Sequence, residues 1–243
     1  EAPASAQQLV VYHVGRERKE VAVAPNVYIQ LQPVEKGFSW NVKAGVSLFS
    51  FRRPDGLDKR TGFSAGVGAE YNFSRHWAIQ SGLMVTSKGA TAEYDGYSPL
   101  SSSTEPISYK AQIAPIYLDI PILAAFKMDV SNHVKFVINI GPYLAVGMGG
   151  KYELTNKGGH KGESHNPFKS YSSLAEAKNK DALLKRFDIG VQGGIGFEIW
   201  KHYLVNASFQ HGFMEPVKGG TLYAGDTEKH YPIGGILTVG YRF

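Results

Sequence analysis

A chain of 243 residues without a single Cys forms neither a disulfide nor a Cys-ligated metal centre. Its net charge of +5 is scattered along the chain rather than gathered into a patch, which argues against nucleic acid as a partner. No apolar run reaches the length of about 18 residues that a membrane-spanning helix needs, but a barrel strand crosses with about 9–11 alternating residues and escapes that test.

The 28 Gly, 14 Tyr and 13 Phe suit an all-β chain with many turns. In chain order, Ala4-Ser5-Ala6 has the small-x-small form of a signal-peptidase site, so residues 1–6 are expected to be the tail of an export signal and Gln7 a mature N-terminus. Leu9 to Val14 and Val21 to Leu31 are β-prone, with the charged run 16–20 between them. We read residues 1–37 as an N-terminal periplasmic segment holding a small hairpin. The alternative is a ten-stranded barrel that uses both segments.

From residue 38 onward, period-2 segments alternate with turns. Trp40, Val42, Ala44, Val46 and Leu48 share one face, against Asn41, Lys43, Gly45 and Ser47. The same division separates Phe63 to Phe73 (odd positions) from Ser64, Gly66, Gly68, Glu70 and Asn72, and Trp77, Ile79, Leu83 and Val85 from Gln80, Gly82 and Thr86. Leu118 to Met128 (even positions) oppose Tyr117, Asp119 and Lys127, and Phe136, Ile138, Ile140 and Leu144 oppose Lys135, Asn139 and Gly141. Phe187 to Ile199 (odd positions) oppose Arg186, Asp188, Gln192 and Glu198. Tyr203 to Phe209 (odd positions) oppose Asn206, Ser208 and Gln210, and Leu237, Val239, Tyr241 and Phe243 oppose Thr238, Gly240 and Arg242. These are eight strands of roughly 11–13 residues, longer than soluble strands and suited to a bilayer.

The connections alternate between tight (around residues 74–76, 129–133 and 200–202) and long (51–62, 89–115, 147–185 and 214–232). That alternation belongs to transmembrane barrels, with short turns in the periplasm and long loops outside. The less apolar face is rich in Gly, Ser, Asn and Gln and carries charges of both signs. Gly packs nothing on a water-facing strand, whereas in a narrow lumen it makes room for larger neighbours. The apolar face carries aromatics near the tight turns, as an interfacial girdle does. The predicted fold is therefore all-β, a transmembrane up-and-down antiparallel barrel of eight strands over 38–243, with both barrel termini periplasmic in a Gram-negative outer membrane. Lys43, Lys88, Lys127, Lys135, Arg186 and Arg242 should face Glu70, Asp119, Asp188 and Glu198 across a closed lumen, with Arg242 or Lys43 pairing Glu70 or Glu198.

The segment from Leu237 to Phe243, apolar at every second position and ending in Phe, resembles the assembly signal that the barrel-insertion machinery of bacterial outer membranes reads. The stretches Tyr117 to Leu123, Asn139 to Leu144 and Phe187 to Glu198 resemble the PorT-like outer-membrane β-barrel family of Bacteroidetes, within the OmpX/OmpA-like eight-stranded barrels. That resemblance covers roughly residues 38–243 and implies a cell-envelope barrel with a possible link to protein secretion. It includes Pro121 and Pro142, read as bulges or lost single bonds inside strands.

No catalytic, cofactor-binding or metal site is expected, and the chain is read as a non-enzyme. His160, His165, His211, Asp226 and His230 fall in or near the long connections. His211 interrupts the apolar row of its strand and could serve as a base if a Ser or Asp lay across the barrel, but a His at the headgroup boundary is the simpler reading. His160, Glu163 and His165 match no established ligand spacing. The expected partners are outer-membrane lipid and lipopolysaccharide, the insertion machinery during assembly, and proteins met by loops 89–115 and 147–185. A short helix is predicted over residues 173–185.

Three roles compete: a structural, adhesive or complex-forming barrel, a rim-active enzyme on lipid or peptide, and a small pore. Eight strands leave a lumen that side chains fill, which disfavours the pore.

Overall fold

The computed structural model describes residues 8–11, 19–22, 37–52, 58–96, 107–156, 164, 166–169, 184–215 and 231–243. Strands β1 (Gln8–Val11) and β2 (Lys19–Ala22) pair antiparallel in a separate two-stranded sheet. They do not join the barrel, so the ten-stranded alternative fails.

The barrel runs β3 (Gly37–Arg52), β4 (Asp58–Asn72), β5 (Trp77–Ser87), β6 (Ala90–Gly96), β7 (Ile107–Ser131), β8 (Val134–Asn156), β9 (Phe187–Ile199), β10 (Tyr203–Gly212) and β11 (Tyr231–Arg242). The ring order is β3-β11-β10-β9-β8-β7-β5-β4, and β4 pairs back to β3. β6 continues β5 past the break at Lys88 and Gly89 and pairs with β7. Eight strands thus close on one another, and closure removes the sheet edges that a bilayer could not satisfy. Among the described residues there is no helix.

Facing follows the period-2 pattern. Leu237 is 51% exposed and Thr238, the next residue, 7%. Exposed Trp40, Tyr71, Trp77, Trp200, Tyr203, Tyr241 and Phe243 form the aromatic band at the tight-turn end.

Strands β3, β4, β7 and β8 are longer than the pattern predicts. β7 has 25 residues and β8 has 23, so they reach well into the segments 89–115 and 147–185 that the sequence reads as loops. The sequence ends its predicted strands at Pro115 and Gly147. Instead, a register shift beside Ile116 and Tyr117 absorbs one extra residue of β8 near Met148, and pairing resumes from Pro115 with Gly150 to Tyr109 with Asn156. Each proline costs rungs: β7 and β8 skip from Pro121 to Ala124, opposite Pro142 and Gly141, and β7 and β5 skip between Ile122 and Asp119, across Pro121. The Ser81 hydroxyl donates to the Pro121 carbonyl (2.9 Å) beside the gap.

Candidate functional site

The lumen near the tight turns is crossed by four charges. Glu70 stands on β4, Lys127 on β7, Glu198 on β9 and Arg242 on β11. In the ring order these are alternate strands, and the signs alternate around the circle. Each charge meets the next. Lys127 Nζ lies 2.5 Å from Glu70 and 3.2 Å from Glu198, while Arg242 donates to Glu70 (2.8 Å) and to Glu198. The result is a closed square of ion pairs with no net charge. Gln80 donates to Glu70 (2.7 Å) and Asn139 donates to Gln80 (3.2 Å), which fixes the acid's second oxygen. Ala78, Ala125 and Val137 pack together as a small apolar cluster in the same lumen.

The expected pairing of Arg242 with Glu70 or Glu198 is present to both acids. Lys43 forms no ion pair with either and lines the cavities beside the square instead. Lys135 and Arg186 are corrections, because neither lies buried in the lumen. Lys135 is half-buried opposite Asp129 near a tight turn, and Arg186 is exposed at the opposite end.

Toward the long connections a second layer forms around Lys88. Its ammonium, in a side chain 1% exposed, lies 2.8 Å from Asp119 and 4.4 Å from the Tyr143 ring centroid, with Tyr117 and Phe49 also within cation–π reach. Asp188 was expected to meet a cation. It accepts the Tyr143 hydroxyl at 2.7 Å instead, while Lys88 is held by Asp119 and the aromatic box. Between the two layers lies a cavity of about 50 Å³ lined by polar side chains that include Ser64, Thr86, Gln192 and Gln210.

Above this layer, Phe168 and Leu184 join Ile113, Tyr117, Tyr143 and Ala145 in one apolar cluster. Phe168 packs edge-on to Tyr117 (5.5 Å) and lies under the Arg186 guanidinium (5.8 Å). Leu184 N–H donates to Pro167 O (2.9 Å). The Phe168 ring occupies the space a Cβ would take at Gly147, so only Gly admits it there. Gly147→Val should therefore expel the ring. A thiol placed at Leu184, buried in the parent, should then label quickly, and unchanged protection would contradict the seating of Phe168 on Gly147.

His211 sits on the outward row of β10, tilted against Phe213 at 5.6 Å, and its Nδ1 has no hydrogen-bond partner among the described residues. No described Ser or Asp bonds to it. His160, Glu163, His165, Asp226, His230 and most of the helix predicted over 173–185 lie outside the described residues. Among the described residues no three His, Asp or Glu side chains are grouped to hold a metal.

The family described as "Outer membrane protein beta-barrel domain" matches residues 26–215. No curated protein matches the chain. Among solved structures, Neisserial surface protein A is similar, with 13% identity, TM-score 0.40, and coverage of 86% of this chain and 100% of that one. Outer membrane protein OprG of Pseudomonas aeruginosa is similar at 14% identity and TM-score 0.39, over 86% of this chain and 97% of that one. The attachment invasion locus protein Ail of Yersinia pestis is similar at 13% identity and TM-score 0.38, over 85% and 97%.

Proposed function

The chain belongs to the outer membrane protein beta-barrel domain family, and we propose that within it this protein is a closed, non-enzymatic barrel with a structural, adhesive or complex-forming role. The observation that carries this reading is the lumen itself. It is crossed by the square of ion pairs and, further along, by the Lys88 layer with Phe168 and Leu184 above it. Side chains that neutralise one another across a narrow barrel favour a sealed body over a channel. The working surface is then the protruding β6–β8 sheet and the long connections, where protein partners would be met. Lipid and lipopolysaccharide surround the barrel, and the insertion machinery meets it during assembly. The PorT-like stretches, Tyr117 to Leu123 above all, support a place in that subfamily and a link to secretion.

The tight turns face the periplasm in this reading, with both barrel termini, because long connections cluster at the other end. A chain without Cys gives a clean test. Asn132→Cys, in a tight turn, should react with an impermeant maleimide only after the outer membrane is opened. Lys169→Cys, exposed at the far end, should react in intact cells. The reverse pattern would refute the orientation. Conductance steps from the purified barrel in planar bilayers would refute the sealed lumen, and capture of defined partners by the detergent-extracted protein is the outcome the complex-forming role requires.

A further inference from the structure

Lys43 is a lumen cation that no acid answers. Its neighbours in register on β4 and β11, Gly66 and Gly240, have no side chains, and its Cγ lies 2.9 Å from where a Gly240 Cβ would be. Among the described residues Lys43 makes no hydrogen bond and no ion pair. The charges that act on it are Glu70, already shared by Lys127 and Arg242, and those two cations themselves. In the next layer Lys88 and Asp119 hold each other at 2.8 Å, and Asp188 is on Tyr143. A lone ammonium inside a narrow barrel is costly unless an opposite charge accompanies it.

Lys43 lines the cavity of about 50 Å³ between the two layers. A single water needs roughly 10–15 Å³ of such space, so the cavity takes an ion of chloride size together with a water or two. Other polar groups on its wall present donors. The Asn206 oxygen is shut off from accessible space, so the NH2 of that amide is the end toward the cavity. Gln192 spends its oxygen on the Gln210 amide (2.9 Å), and its own NH2 has no acceptor among the described residues. Asp119 is the one acid on the wall, and Lys88 neutralises it. A ligand that accepts from several donors and carries a negative charge meets both needs of this lining, whereas water meets only the first.

We propose that Lys43, Asn206 and Gln192 bind one small monovalent inorganic anion, of chloride size, between the square and the Lys88 layer. Lys43 supplies the opposite charge and the two amides fix the position. The anion ties β3, β9 and β10 together across the lumen.

The test uses the full chain, refolded from urea into lipid vesicles in sodium chloride or sodium gluconate at one ionic strength. Gluconate, a six-carbon anion, is too large for the cavity. The parent should unfold at a higher urea concentration in chloride, and the midpoint should climb as chloride replaces gluconate. Lys43→Met removes the lone charge without shortening the side chain and should lose that climb. Asn206→Ala keeps the cation and should weaken the chloride response about tenfold, the worth of one hydrogen bond to a charged group. It decides the matter by itself should Lys43→Met not assemble. Crystals of the parent grown in bromide should show an anomalous signal beside Lys43. A parent midpoint indifferent to chloride, or no bromide at Lys43, would overturn the proposal and leave water as the occupant. A chloride response or bromide peak that survives in Lys43→Met would overturn it as well, as an adventitious ion only.

Discussion

Glu70→Leu should destabilise the folded barrel by about 3–5 kcal/mol, the usual loss when one member of a buried ionic group is removed. Glu70 is 1% exposed and holds two sides of the square, through Lys127 and Arg242. Without it, both cations share Glu198, and a net positive charge stays in a lumen with little water to screen it. Replacing all four charges with apolar side chains of similar size should recover most of the loss, because a satisfied buried ionic network is often no more stable than a well-packed apolar one. Urea unfolding in lipid vesicles, followed by Trp fluorescence, measures both variants. A loss below about 1 kcal/mol for Glu70→Leu, or a quadruple variant as unstable as the single, would mean that the square does not act as one unit.

Leu237→Arg should cost about 2–4 kcal/mol, the penalty for a charge on the lipid face near the bilayer midplane. Leu237 lies in the middle of β11, level with Val46 on β3 and Ala207 on β10, and its whole row faces outward. Leu237→Ala keeps the face apolar and should cost far less. The folded fraction on heat-dependent gel mobility and the urea midpoint in vesicles report the difference. Equal stability of Leu237→Arg and Leu237→Ala would place this row against water or protein rather than lipid.

The lipid face was legible from the sequence because it needs nothing beyond the local chain. Alternation at period 2 divides each strand into two faces, and Gly with balanced charge on one of them identifies the lumen. Closure adds one long-range contact to this, since it makes the last strand and the first barrel strand neighbours, and Arg242 does pair with Asn41 in register. Strand ends were less legible. The predicted strands end at Pro115 and Gly147, and only the facing strands show that a shifted register carries the ladder past them.

What the tertiary structure alone decided is which charges meet. Glu70 and Arg242 stand 172 positions apart, and Lys127 and Glu198 stand 71 apart. Their meeting depends on the stagger of all eight strands at once, which no strand encodes by itself. For this reason Lys127, on β7, became the second cation of the square while Lys43, on β3, lines a cavity, and Asp188 found Tyr143 rather than a cation. The sequence by itself determined the barrel, its strand count and its two faces, because period and polarity are local properties. The partners within the lumen were decided by register and closure, which exist only when distant strands lie side by side.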